Sequence, residues 1–223
     1  MTASCRSGSE RIGIVTGLAA EARIARRLGW LVAVGGGTAA GAYAAARGLA
    51  GQGATALVSF GLAGGLDPAL NAGALLVPEA ILANGAIVPA DPLIAAWLGG
   101  PTVRRLLGAE SVAARASEKH RLWTQTDCAA LDLESGPVAR TASALGLRFA
   151  ALRAVCDTAG VDLPQAALAA LSARGRIRTG RVLASLAHRP GQIPALLHLA
   201  RAAAQARRTL SDRVDAIRPA CRA

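Results

Sequence analysis

Three stretches near the N-terminus decide the fold. They are Ile12-Gly13-Ile14-Val15, running to Gly17; Leu31-Val32-Ala33-Val34, running into Gly35-Gly36-Gly37; and Ala56-Leu57-Val58-Ser59-Phe60, running into Gly61-Leu62-Ala63-Gly64-Gly65. Each is a short apolar run that closes on glycine. Between them lie Ala19–Leu28 and the alanine-rich stretch Thr38–Ala50, whose residues favour helix. Short buried strands alternating with helices build a largely parallel sheet covered on both faces. The expectation is an α/β protein of three layers, an α/β/α sandwich.

Farther along, the sequence predicts strands at Ala74–Val77, at Ala86–Val88 (closed by Pro89), at Cys128–Leu131 and at Arg148–Val155. Helices are predicted at Asp91–Leu98, Ser117–Thr124 and Ser135–Leu145, and again at Pro164–Leu171. A last amphipathic helix, over about residues 192–213, is set off by Pro190, Gly191 and Pro194 and keeps its leucines and alanines on one stripe. Residues 1–10 read as a loose polar leader and 11–223 as one domain around a central mixed sheet.

Composition excludes several classes. With 223 residues, 52% of them hydrophobic, the chain can bury a core without a disulfide or metal staple. The formal charge of +11 is carried almost wholly by arginine, Lys119 being the only lysine. Aromatic residues make up 3%, too few for base-stacking platforms, and the arginines are scattered until the basic run Arg174, Arg176, Arg178 and Arg181. Nucleic-acid binding is therefore disfavoured, and an anionic surface or substrate fits the charge better. Cys5, Cys128, Cys156 and Cys221 form no CxxC pair, and the three histidines show no ligand spacing to them, so neither a zinc site nor a disulfide framework is expected. The uncharged runs Leu28–Ala46 and Gly48–Leu66 are broken by glycine clusters and rich in alanine. Glu10 and Arg11 precede the first apolar run, unlike the start of a signal peptide. The expectation is a soluble cytoplasmic protein.

In an open α/β sheet, ligands bind beyond the carboxyl ends of the strands, where the three glycine clusters should converge. Each cluster is equally a tight strand-to-helix turn. Gly35-Gly36-Gly37-Thr38-Ala39-Ala40 fits the GxGxxA dinucleotide fingerprint, but the acid needed about 20 positions on is missing: no acid precedes Asp67. Nicotinamide and flavin enzymes are disfavoured. Acids are scarce, 14 in all, and four stand just past probable strands: Glu21, Asp132, Glu134 and Asp157. Helix capping is the competing account. It fits Glu134, which precedes a helix, better than Asp157, which precedes Thr158-Ala159-Gly160.

These residues carry a resemblance. Gly17–Glu21, Phe60–Leu66, Asp132–Ser135 and Arg153–Asp157 stand in an order and spacing similar to the nucleoside phosphorylase/nucleosidase superfamily, above all its methylthioadenosine/S-adenosylhomocysteine nucleosidase branch. Ser59–Pro68, Asp132–Ser135 and the tail His188–Leu197 further resemble the hopanoid-associated phosphorylase family. The resemblance implies cleavage of the N-ribosidic bond of a 5′-modified adenosine, with adenosylhopane as the substrate, in hopanoid biosynthesis. Asp157 would protonate the departing adenine, Glu134 would hold the ribose hydroxyls and Glu21 would handle the attacking water. Leu133, Gly61, Ala63, Gly64, Arg153 and Cys156 would line the substrate site.

No metal or organic cofactor is implied, though inorganic phosphate is a candidate co-substrate. The serine and arginine that grip phosphate in phosphate-using relatives are replaced here by Leu62 and Ser59, while Glu21 is kept, which leans towards hydrolysis. Gly35, Gly37, Thr38 and Ser59 remain a candidate phosphate set. The Phe-Ile pair that sandwiches the purine in nucleosidases is missing; Trp123 is either its substitute or a core residue. The C-terminal helix would either rest on an anionic membrane surface, admitting a lipid-linked substrate, or cover the sheet. A homodimer or larger oligomer is expected by analogy. Smaller 5′-modified adenosines are the alternative substrates, and a non-catalytic nucleoside-binding module is the alternative of another class.

Overall fold

Strand β1 (Ile12–Thr16) is buried along its whole length, as a strand with neighbours on both sides and helices on both faces must be. It pairs in parallel with β2 (Leu31–Val34) and with β3 (Ala56–Gly65). The computed structural model describes residues 11–165, 167 and 190–217. The expected leader, most of the Pro164–Leu171 helix and the basic run Arg174–Arg181 lie outside these residues.

The remaining strands are β4 (Leu75–Leu76), β5 (Pro78–Ala83), β6 (Ala86–Pro89), β7 (Val103–Gly108), β8 (Ala130–Asp132) and β9 (Arg148–Asp157). Among the described residues they form one mixed sheet in the order β2-β1-β3-β8-β7-β5-β6, with β9 added on β3 and β4 on β9. β3 is the hub. It runs parallel to β1 and β9, then shifts register between Ala63 and Gly64, where its last residues turn antiparallel to β8 through Gly64 and Gly65. The third glycine cluster is thus part of a strand, not the turn after one. Two strands were not expected from the sequence. β5 opens on Pro78-Glu79, and β7 reads Val103-Arg104-Arg105-Leu106, so neither presents a clean apolar run. Pro89 is tolerated in β6 because that strand is an edge, paired only to β5.

The helices are α1 (Ala19–Ala25), α2 (Ala39–Gly51), α3 (Pro92–Leu98), α4 (Ala116–Thr126), α5 (Ser135–Ala144) and α6 (Ile193–Ile217). Strand alternation sorts the core into two layers. Ile12, Ile14, Val58, Phe60 and Leu152 face Ile94 and Leu98 of α3 and Leu210 and Val214 of α6. Val15, Leu57, Phe149, Ala151 and Val155 face Ala42, Ala46 and Leu49 of α2 and Val138 and Ala142 of α5. This is the α/β/α sandwich. α6 uses Ala202, Ala206, Leu210, Val214 and Ile217, spaced at helical intervals, to cover the sheet. No described helix is long and apolar enough to cross a membrane.

Candidate active site

Several chain segments bring their ends to one place. β1 passes through Gly17 into the first turn of α1, which carries Glu21. β8 ends at Asp132 and hands Leu133 and Glu134 to α5, β9 ends at Asp157, and β3 supplies Leu62, Ala63 and Gly64. They line a partly open cavity of about 460 Å3, flanked on its outer side by Val112, Ala113 and the α6 residues Leu196, Leu199, Ala200 and Ala203. Glu21, Glu134 and Asp157 all reach its wall, as do Leu133, Cys156, Ala63, Gly64 and Gly37.

Below the cavity lies Arg153, fully buried in the middle of β9. Its Nε forms an ion pair with Asp132 Oδ2 and donates to Ser135 Oγ at 3.2 Å. Nη1 donates to Glu134 Oε2 and to the Leu62 carbonyl, both at 3.2 Å, and Nη2 to Ser59 Oγ at 2.5 Å. One guanidinium therefore organises the ends of β3, β8 and β9. Burial opposes its charge, but Asp132, Glu134 and Glu21 more than offset that and raise its pKa.

The helix-capping account separates cleanly. Glu134 stands at the N-cap of α5 without capping it; Asp132 Oδ1 takes the Ser135 N–H at 2.9 Å instead, leaving Glu134 to Arg153 and the cavity. Glu21 does both jobs: Oε2 accepts the Leu18 N–H at 2.7 Å, while Oε1 accepts the Leu62 N–H at 3.1 Å from β3. Burial raises the pKa of Glu21 against the opposing pull of Arg153. Burial likewise lifts Glu134 to about 7, with Arg153 opposing and the neighbouring Asp132 and Glu21 adding to the rise.

Asp157 is met by a cation. Lys119 Nζ of α4 donates to its Oδ2 at 2.5 Å, and Cys156 Sγ donates to Oδ1 at 3.2 Å. Asp157 thus sits beside a buried ammonium. Burial and the adjacent Asp157 push the Cys156 thiol well up, so it stays protonated.

The candidate phosphate set is not gathered. Ser59 is fully buried and engaged by Arg153, beneath the cavity. Thr38 caps α2, accepting the Gly41 N–H at 3.1 Å, and Gly35 abuts Ala42 of that helix; of the four, Gly37 alone reaches the cavity wall. Arg153 and Gly61 also lie beneath rather than on the wall, Gly61 pressed between Arg153 and Glu21. Trp123 is packed with Leu66, Ala113, Cys128 and Leu131, away from the cavity wall. Sequence reasoning missed Lys119, Asp132 as the partner of Arg153, and the α6 wall. The one signal for the first was its status as sole lysine in an arginine-rich chain. Among the described residues no cluster of three or more His, Cys, Asp or Glu could hold a metal.

No family model and no curated protein matches this sequence. Solved structures do share its fold. A protein described as a putative 5′-methylthioadenosine/S-adenosylhomocysteine nucleosidase from Francisella philomiragia superposes with a TM-score of 0.69 at 14% identity, over 93% of this chain and 98% of that one. The Helicobacter pylori 5′-methylthioadenosine/S-adenosylhomocysteine nucleosidase, in complex with a pyrrolidine-based ligand, gives 0.65 at 14% identity, over 94% and 100%. The futalosine hydrolase of Helicobacter pylori gives 0.64 at 14% identity, over 93% and 98%.

Proposed function

We propose that this protein hydrolyses the N-ribosidic bond of a 5′-modified adenosine and releases adenine, and that the 5′ group is bulky and apolar, as in adenosylhopane. The observation that carries this is the meeting of Glu21, Glu134 and Asp157 on one cavity whose far wall includes Leu196, Leu199, Ala200 and Ala203 of α6. The shared fold of nucleosidases supports it.

The chemistry follows from the placement. Breaking the bond between C1′ and N9 leaves positive charge on the sugar and sends the electron pair to the purine, which departs poorly as an anion. Asp157 gives its proton to the purine at N7. Glu134 accepts hydrogen bonds from the ribose hydroxyls, and its carboxylate opposes the positive charge that develops on the sugar. Glu21 takes a proton from water as the water oxygen bonds to C1′. Its raised pKa suits that task, since a base titrating nearer the working pH accepts a proton more readily. Leu133 packs beside the ribose, and Leu196, Leu199 and Ala203 take the 5′ substituent.

Water is favoured over phosphate because Ser59 is spent on Arg153 and a carboxylate, Glu21, reaches the cavity wall, where it would repel phosphate. Ile193 and Leu197, at the outer start of α6, are 44% and 52% exposed. They offer an edge for peripheral contact with an anionic membrane that holds a lipid-linked substrate; binding to anionic liposomes at low salt tests this contact.

Adenine release from adenosylhopane, methylthioadenosine and S-adenosylhomocysteine, each with and without phosphate, tests the assignment. The expected result is fastest release from the most apolar 5′ group and no response to phosphate. Phosphate-dependent release, or adenine from none of the three, contradicts it.

A further inference from the structure

Lys119 is 1% exposed, and it is the only buried residue of α4. Burying an ammonium is strongly unfavourable unless its donors are met. Here all three are: Nζ donates to Asp157 Oδ2 at 2.5 Å, to the Thr158 carbonyl at 2.9 Å and to the Val161 carbonyl at 3.0 Å. A helix whose one fully buried side chain ends on the carboxyl at the cavity wall is placed to act on that carboxyl.

We infer that Lys119 governs how readily Asp157 parts with its proton, as a positioning residue that works through the acid. This presupposes the adenine release proposed above. A buried carboxyl without a counter-charge holds its proton, because its ionised form is poorly solvated. An acid must instead surrender that proton as the glycosidic bond breaks. The proton passes from the Asp157 carboxyl to N7, the C1′–N9 electron pair leaves with the purine, and the carboxylate left behind is already paired with the ammonium. Lys119 transfers nothing itself. Holding Oδ2, it leaves Oδ1 to the Cys156 thiol and the cavity. Among the described residues, the other ionisable groups around Asp157 are Cys156 on its own strand, Glu21, Asp132 and Glu134 across the cavity, Asp162 in the following loop, and His198 and Arg207 on α6; β3 presents Gly64 and Gly65.

The test is the pH profile of kcat for adenine release by the wild-type chain, Lys119→Met and Lys119→Gln, each checked by thermal melting. Without the ammonium, the alkaline limb is expected to move up by about one pH unit or more, since loss of a counter-charge favours the protonated carboxyl. The plateau below that limb is expected to fall about tenfold or more, the acid being weaker. Should K119M fail to fold, K119Q, whose amide still serves the two carbonyls, carries the same comparison. A limb that stays in place while the rate falls equally at every pH overturns the inference and leaves Lys119 a prop for α4. A wild-type chain that releases no adenine at any pH overturns the proposed cleavage, and this role with it.

Discussion

A Cβ on Gly17 would lie 2.6 Å from Oε1 of Glu134, closer than any real side chain permits. The carboxylate proposed to face the ribose is seated against bare backbone at the end of β1, while Arg153 holds its other oxygen from below. Gly17→Ala should therefore displace Glu134. A misplacement of about 1 Å at a reacting site is worth about 100-fold in rate. The expected outcome is a loss of that order in kcat/KM for adenine release, with a melting temperature close to wild type.

Asp157→Asn removes the transferable proton and keeps the shape. Loss of a general acid costs roughly 10²–10⁴-fold. Steady-state kinetics should show that fall in kcat, with substrate affinity changed only a few-fold. A rate within threefold of wild type would mean that Asp157 is not the acid.

Glu134 links activity to stability with opposite signs. Its folded-state pKa, about 7, lies above the ordinary 4.5, so the folded protein binds more protons than the unfolded chain between those values. The group's contribution is fully favourable below about 4.5 and is lost as pH rises through about 7. Glu134→Gln should thus raise the melting temperature above pH 7, by roughly 3–6 °C, and the two proteins should converge towards pH 4.5. The same variant should lose most adenine release at every pH. Paired melting curves at pH 5 and pH 8 check the sign.

The apolar wall can be spoiled without reaching the carboxylates. Leu199→Asp places a charge where the 5′ substituent would lie. An uncompensated charge against an apolar ligand costs on the order of 2 kcal/mol or more, so KM for a long 5′-alkylthioadenosine should rise at least tenfold. For 5′-methylthioadenosine, whose substituent is short, the rise should be much smaller. Equal effects on both would remove α6 from substrate recognition.

The parts of this site that were legible in the sequence are those held by local pattern. Strands β1, β2 and β9 announce themselves as apolar runs, and Glu21, Glu134 and Asp157 stand out because acids are rare and sit just past such runs. What escaped depends on distance along the chain. Arg153 and Asp132 are 21 positions apart and meet because the end of β3 pairs with β9 and β8 together, at Gly64 and Gly65. Lys119 reaches Asp157 across 38 positions, and no periodicity in Ala116–Thr126 marks it as inward. Ser59 looked free to hold an anion; its burial under Arg153 is a fact of packing that composition does not carry. The arginine-studded β7 was hidden for a related reason, because Arg104 and Arg105 find Asp127 at the surface while Leu106 faces the core.

The most direct measurement is the fate of the ribose oxygen. A long 5′-alkylthioadenosine incubated in H2 18-O buffer containing inorganic phosphate should yield free adenine and a ribose carrying one heavy oxygen at C1′, set before the sugar anomers exchange with solvent, with no sugar phosphate by mass spectrometry. A ribose 1-phosphate product, or intact nucleoside after prolonged incubation, would contradict a hydrolytic site built from Glu21, Glu134 and Asp157.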